Sequence, residues 1–203
     1  MGRPLVIGFY TKDTPYEHEF QTLKLSLEEH GYDYDYEAVD NLGTWQKNTQ
    51  YKAQVIKGFL EKYPEHPLLY LDVDAIMLHP PIILDDVNCD IAAVHYARNQ
   101  ELLSGTVYFS GSDICMKVVE RWIQLNIQYP IKLPDKRPAW DQRTLSLAIH
   151  DVKECRFVEL PQEYTFITEL TAKHCKGLNP VILHTRGAKR FKNIINKERG
   201  YAD

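Results

Sequence analysis

Asp72-Val73-Asp74 follows the apolar run Leu68-Leu69-Tyr70-Leu71 and precedes Ala75-Ile76-Met77-Leu78. Side chains alternate along an extended chain, so Asp72 and Asp74 point to the same side and offer converging carboxylates to one hard cation. The cargo such a cation suits is a diphosphate. Spacing alone proves little, because a chain with 14 Asp contains about one D-x-D by chance. A second copy, Asp33-Tyr34-Asp35, is indeed present within Tyr32-Asp33-Tyr34-Asp35-Tyr36. Its alternation of carboxylates and rings reads as a half-exposed strand. Asp72 and Asp74 differ in following a buried-type strand, and in open α/β sheets ligands gather at the carboxyl ends of strands.

The elements that must position this pair follow from periodicity. Leu5 to Tyr10 reads as a first strand, Thr11 to Pro15 as a turn, and Phe20, Leu23 and Leu27 as the inner face of a helix stopped by Gly31. Tyr34 to Val39 is a second strand. Asn48 to Tyr63 is a second helix with Ala53, Ile56 and Leu60 on one face and Pro64 beyond its end. The strand carrying Asp72 comes next, and this β-α-β-α-β order predicts a parallel, doubly wound sheet flanked by helices. The later half is less regular, with strands at Ile91 to His95, Thr106 to Phe109 and Arg156 to Glu159 and helices at Ser112 to Gln128 and Asp141 to His150. It makes the sheet mixed. Ile114, Val118, Trp122 and Leu125 form a core stripe on the longer helix. Val181-Ile182-Leu183 is a short strand that delivers His184 into the turn Thr185-Arg186-Gly187.

With 203 residues the chain suits one domain, long enough to bury a sizeable core. Hydrophobic content of 44% and charged content of 26% place it among ordinary globular proteins. A net charge of -4 argues against a general nucleic-acid surface, although Lys189, Arg190, Lys192, Lys197 and Arg199 make the C-terminal segment basic. The apolar stretch Leu5 to Tyr10 is too short for a signal peptide, and no stretch is long enough to span a membrane. Cys89, Cys115, Cys155 and Cys175 show no C-x-x-C spacing. Reduced thiols in a cytoplasmic protein are the expectation.

In their order these pieces resemble the GT-A nucleotide-diphospho-sugar glycosyltransferases, most closely the retaining branch that includes glycogenin-like and bacterial galactosyltransferase enzymes. The segment Leu69 to Leu78 looks like that family's metal-binding D-x-D in its usual strand context. The resemblance covers most of the chain and implies a single domain of GT-A fold, Rossmann-like with a mostly parallel mixed sheet, with its nucleotide-binding half at about 1–80 and its sugar and acceptor half at about 81–203. It implies Mn²⁺ or Mg²⁺ bridging Asp72 and Asp74 to the diphosphate of a nucleotide sugar, with Val73 against the donor. Such a cation neutralises the charge that grows as the glycosidic C–O bond breaks.

Other fragments carry the resemblance further. Thr11-Lys12-Asp13-Thr14-Pro15-Tyr16 is similar to the family turn in which an acidic or amide residue contacts the nucleobase and a Tyr stacks on it; the same residue types also make ordinary turns and caps. Lys52 looks like the family's basic residue reaching the donor, or else a solvent-facing lysine. His184-Thr185-Arg186-Gly187-Ala188-Lys189-Arg190 resembles the late H-x-x-G-x-x-K segment. There the His is the third metal ligand, the Gly lets the backbone approach the phosphates, and the basic residues pair with the diphosphate. Here Arg190 holds the final position with Lys189 beside it, and the usual aromatic pair is absent. An imidazole beside two carboxylates suits Mn²⁺ better than Ca²⁺, while a buried or capping His is the plain alternative.

Ser104-Gly105 resembles the strand entry beside the donor sugar, with Leu103 where an Asn often sits. Trp140-Asp141-Gln142 looks like the family's D-Q pair, in which Asp141 binds sugar hydroxyls and Gln142 lies near the anomeric carbon; a helix N-terminus capped by Asp141 is the alternative. The implied function is metal-dependent transfer of a sugar from a nucleotide donor, most simply UDP-linked, with retention. Saccharide, lipid-linked and protein acceptors all remain open.

Two other readings compete. A haloacid-dehalogenase-type phosphatase also uses D-x-D after an apolar strand, with the first Asp as nucleophile. That family places the motif on its first strand and needs a later acidic pair, whereas here two β-α units precede Asp72 and Asp85-Asp86 follow Asp74 by only 11 residues. A catalytically silent sugar-nucleotide-binding module is the other, since fold does not guarantee activity.

Overall fold

The structure is a computed structural model that describes residues 2–185. Strand β1 (Leu5–Thr11) leads through a turn to helix α1 (Pro15–Glu29). Thr14 caps that helix by accepting from the Tyr16 amide, Pro15 supplies a pre-set first turn, and Gly31 at φ 66° ends it in the left-handed region. β2 (Tyr34–Val39) pairs parallel with β1, and β3 (Leu68–Leu71) pairs parallel with β1 on its other side.

Between β2 and β3 the expected single helix is two. α2 (Trp45–Gln50) begins earlier than Asn48 because Thr44 accepts from the Lys47 amide, and α3 (Lys52–Lys62) follows after Tyr51. The buried face of α3 includes Ala53, Ile56 and Leu60, as its periodicity predicts.

The second half completes the sheet with β5 (Ile91–His95), β6 (Leu102–Phe109) and β7 (Phe157–Glu159). The order is β2-β1-β3-β6-β5-β7, and β6 alone runs against the other strands. The sheet is therefore mixed and mostly parallel. Helices α4 (Asp113–Gln128) and α5 (Asp141–Asp151) lie where the sequence places them. Successive residues of β1, β3 and β5 alternate between two apolar clusters: Ile7, Leu68, Tyr70 and Ile91 face α3, α4 and α5, while Val6, Leu69, Leu71 and Ala92 face α1 and the chain beyond it. Both faces are covered, as a largely parallel sheet requires.

Three short elements escape the sequence reading: β4 (Ala75–Met77), β8 (Phe166–Ile167) and α6 (Thr168–His174). With β9 (Ile182–His184), β4 and β8 form a second sheet in the order β4-β9-β8. Ser26 of α1 accepts from the Met77 amide and so pins β4 to the helix. β6 also starts earlier than the expected Thr106. Val94 pairs with Leu103 and Ala93 with Val107, so Ser104, Gly105 and Thr106 have no counterparts on β5. This bulge stands beside the end of β3, where Leu71 pairs with Thr106 and the Asp72 amide donates to the Gly105 carbonyl.

Candidate active site

Asp72 leaves β3 as the strand ends. The Ala75 amide donates to the Asp72 carbonyl, closing a turn that carries Asp72, Val73 and Asp74 over the sheet edge. A cavity of about 460 Å³ opens there. Thr11, Tyr16, Lys52, Asp72, Val73, Asp74, Ser104, Gly105, Asp141, Gln142 and His184 all line it. These expected residues thus come together from β1, α1, α3, the β3 turn, the β6 bulge, α5 and β9.

Lys52 is the hub of the cavity floor. Its ammonium is 3.0 Å from Asp72 Oδ1, 2.9 Å from Asp141 Oδ2 and 3.0 Å from the Ser104 carbonyl, with Ser104 Oγ at 3.2 Å. A lysine has three N–H donors, and the two carboxylates and the Ser104 carbonyl match all three. Ser104 Oγ in turn donates to Asp141 Oδ2 at 2.7 Å. Tyr70, buried beneath Lys52 with its ring 4.9 Å from the ammonium, donates its hydroxyl to Asp72 Oδ1 at 2.9 Å.

Each carboxylate therefore has one oxygen held by protein donors. Burial opposes the charge on Lys52, but Asp141 and Asp72 outweigh it and hold the ammonium above the ordinary lysine range. Removal from water pushes the Asp72 carboxyl up, Lys52 pulls it back down, and Asp74 and Asp141 add to the rise. Asp141 does not cap its helix; the cap position is Trp140, and the buried Asp141 turns inward to Lys52.

His184 enters the cavity from β9. Its Nδ1 is 3.4 Å from Asp74 Oδ1, and the Thr185 amide donates to the Asp74 carbonyl. A Cβ on Gly105 would lie 2.8 Å from His184 Cε1, 3.2 Å from Nδ1 and 3.3 Å from Asp72 Oδ2. The bare face of that glycine is what lets the ring and the carboxylate meet. Among the described residues no three His, Cys, Asp or Glu side chains converge as a ready metal cage. Asp72, Asp74 and His184 are instead an open set, of the right chemistry for a divalent cation that takes its remaining ligands from a substrate.

Tyr16 lines the cavity, and burial raises its hydroxyl pKa well above the ordinary value, with Asp74 and Asp72 adding. Asp13, expected beside it, sits exposed on the turn at φ 57°, its amide donating to Glu17, and does not line the cavity. Gly187, Lys189 and Arg190 lie outside the described residues. Sequence reasoning missed Tyr70, whose place in an apolar run disguises it as core, and Thr106. It also missed Trp45, which lines the cavity and packs edge-to-face on Trp140 at 6.3 Å.

No protein-family model matches this chain, and none of the curated proteins matches it in sequence. Solved structures do match in shape. A glycosyltransferase involved in the glycosylation of the major capsid of PBCV-1 superposes with a TM-score of 0.68 at 17% identity, covering 95% of this chain and 98% of that one. The glycosyltransferase GlyE of Streptococcus pneumoniae TIGR4 gives 0.66 at 15% identity, with all of this chain matching 61% of GlyE. The galactosyltransferase LgtC, in complex with donor and acceptor sugar analogs, gives 0.60 at 11% identity over 98% and 97% of the two chains. The fold is that of the GT-A glycosyltransferases. Among the described residues no helix is long and apolar enough to cross a membrane.

Proposed function

We propose that the protein is a glycosyltransferase that moves a sugar from a nucleotide-diphosphate donor, UDP-linked by preference, to a saccharide, lipid-linked or protein acceptor. The observation that carries this reading is the joining of Asp72, at the end of β3, to Asp141, at the start of α5, through one buried lysine on the floor of the cavity. That pairing puts a carboxylate suited to a cation and diphosphate next to one suited to sugar hydroxyls, in a fold shared with LgtC, itself solved with donor and acceptor sugar analogs. The phosphatase reading has no comparable support from the fold.

Asp72, Asp74 and His184 would hold Mn²⁺ or Mg²⁺. When bound, the cation supplies Lewis-acid stabilisation of the departing diphosphate. The remaining roles belong to the chain. Tyr16 and Thr11, which line the cavity, would contact the nucleobase, and Lys189 and Arg190 would grip phosphate oxygens, Arg190 by its two-pronged guanidinium. Asp141, with Oδ2 held by Lys52 and Ser104, would accept hydrogen bonds from sugar hydroxyls. Gln142 lines the same cavity and would present its amide near the reacting carbon. Those two features favour transfer with retention.

The test is calorimetry of UDP with and without Mn²⁺. Asp74→Asn should abolish the Mn²⁺-dependent part of UDP binding while the unfolding temperature stays near that of the parent, because a ligand is lost with little change in volume. Unchanged Mn²⁺-dependent affinity would defeat the cation assignment. Donor turnover with acceptor present separates an enzyme from a silent binding module.

A further inference from the structure

Thr106 contributes nothing visible to the strand that a valine would not. It is fully buried, it sits in the β6 bulge opposite Leu71, and β-branching alone would suit it to that place. What distinguishes it is the hydroxyl, which stands 2.9 Å from His184 Nε2. The imidazole crosses from the small sheet, where His184 pairs with Ala75, to β6 of the large one. Gly105 leaves room for the ring and Thr106 engages its far nitrogen. The near nitrogen, Nδ1, is thereby turned to Asp74 at 3.4 Å.

We propose that Thr106 is a positioning residue: its hydroxyl holds His184 by Nε2 and so fixes Nδ1 as the nitrogen presented to Asp74 and to a bound cation. In a neutral imidazole one nitrogen carries the proton and the other a lone pair. For Nδ1 to offer its lone pair to a cation, the proton must sit on Nε2, and a buried N–H without an acceptor is costly. Thr106 Oγ1 is that acceptor. A hydroxyl also donates, so it satisfies Nε2 as well when the proton is on Nδ1 and directed to Asp74. Valine at 106 would leave Nε2 without a partner in both arrangements, and the loss falls harder on the first, where a buried N–H has no acceptor. The consequence for the cation rests on the function proposed above; the placement of the ring does not.

The experiment uses Thr106→Val, which removes the hydroxyl at nearly constant shape, and Thr106→Ser, which keeps it. In metal-free protein, the ¹⁵N resonance of His184 Nε2 should move in the Val variant and return toward its parent position in the Ser variant. An unmoved resonance overturns the proposal. Calorimetry of Mn²⁺ in the presence of UDP should show affinity about 10–100-fold weaker in Thr106→Val and largely restored in Thr106→Ser, the range typical of losing a partner that orients a metal ligand. Equal affinity in parent and Val variant also overturns it. Should the parent protein bind no Mn²⁺ with UDP, the cation reading falls, and the metal-free resonance still decides whether Thr106 positions the ring.

Discussion

Lys52 shows how a single residue changes meaning once its surroundings are known. Sequence resemblance casts it as a contact to the donor; in the structure it lines the cavity and its three protons are matched to Asp72, Asp141 and Ser104. Its side chain is 3% exposed and that of Asp141 6%, so removing the ammonium leaves a buried carboxylate unpaired. Lys52→Met should therefore cost about 3–5 kcal/mol of stability in urea titrations, the range for breaking a buried pair from one side. Lys52→Met combined with Asp141→Asn should cost clearly less than the sum of the two single changes, because the orphaned charge is gone. Strict additivity would mean that the two side chains do not act as a unit. Asp72, Asp74, Asp141 and His184 were legible because their chemistry is unusual for where they stand: carboxylates after a buried strand, an acid before a helix, an imidazole in a turn. Tyr70 and Thr106 were not, since each fits a strand interior by type: the Tyr70 hydroxyl bonds Asp72 two residues on and that of Thr106 bonds His184 on another sheet, and a strand pattern shows neither.

Among the elements, those with long, clean periodicity were read correctly, and those built by tertiary pairing were not. α1, α3 and α4 announce themselves by apolar faces, whereas β4 and β8 are too short to carry a pattern and exist because β9 lies between them. The β6 bulge belongs to the same class. Nothing local marks Ser104, Gly105 and Thr106 as residues β5 fails to pair, yet the bulge sets Ser104 against Asp141 and Thr106 against His184. Gly105 between them is the point of closest approach. Its backbone is outside the left-handed region, so Gly105→Ala is resisted by the His184 ring rather than by the chain. That substitution should lower stability by about 1–3 kcal/mol, as overpacking does, while weakening Mn²⁺-dependent UDP binding at least tenfold (a loss of about 1.4 kcal/mol or more). Parent-like binding in Gly105→Ala would show that the ring has room to retreat without losing its role.

At the scale of the whole molecule, the pH limits of stability should be set at the end of the sheet away from the cavity. Asp90, at the amino end of β5, accepts from the Arg156 side chain and amide and from Ser112. Burial opposes its charge, but these donors outweigh it and hold its carboxyl below the ordinary range. Its contribution is present above the unfolded aspartate pKa and is lost as pH falls through the lower folded value. The neighbouring thiols act in the other direction. Burial first, and then Asp90, pushes Cys89 up to about 11 and Cys155 up to about 12, from an ordinary value of 9.0. Between these values the folded protein keeps protons that the unfolded chain has released, so this stabilisation is complete below about pH 9 and fades as pH rises toward 11–12. Tyrosines whose hydroxyls the fold also raises, such as Tyr108 to about 12, join the decline as their unfolded midpoint near 10 is approached, so the part of the thiols is read from the difference between variants. Urea unfolding from about pH 9 to 10 should show stability declining with pH in the parent and declining less in Cys155→Ala, whose partly exposed site leaves little cavity. The same slope in both proteins would show that the thiols do not set the alkaline limit.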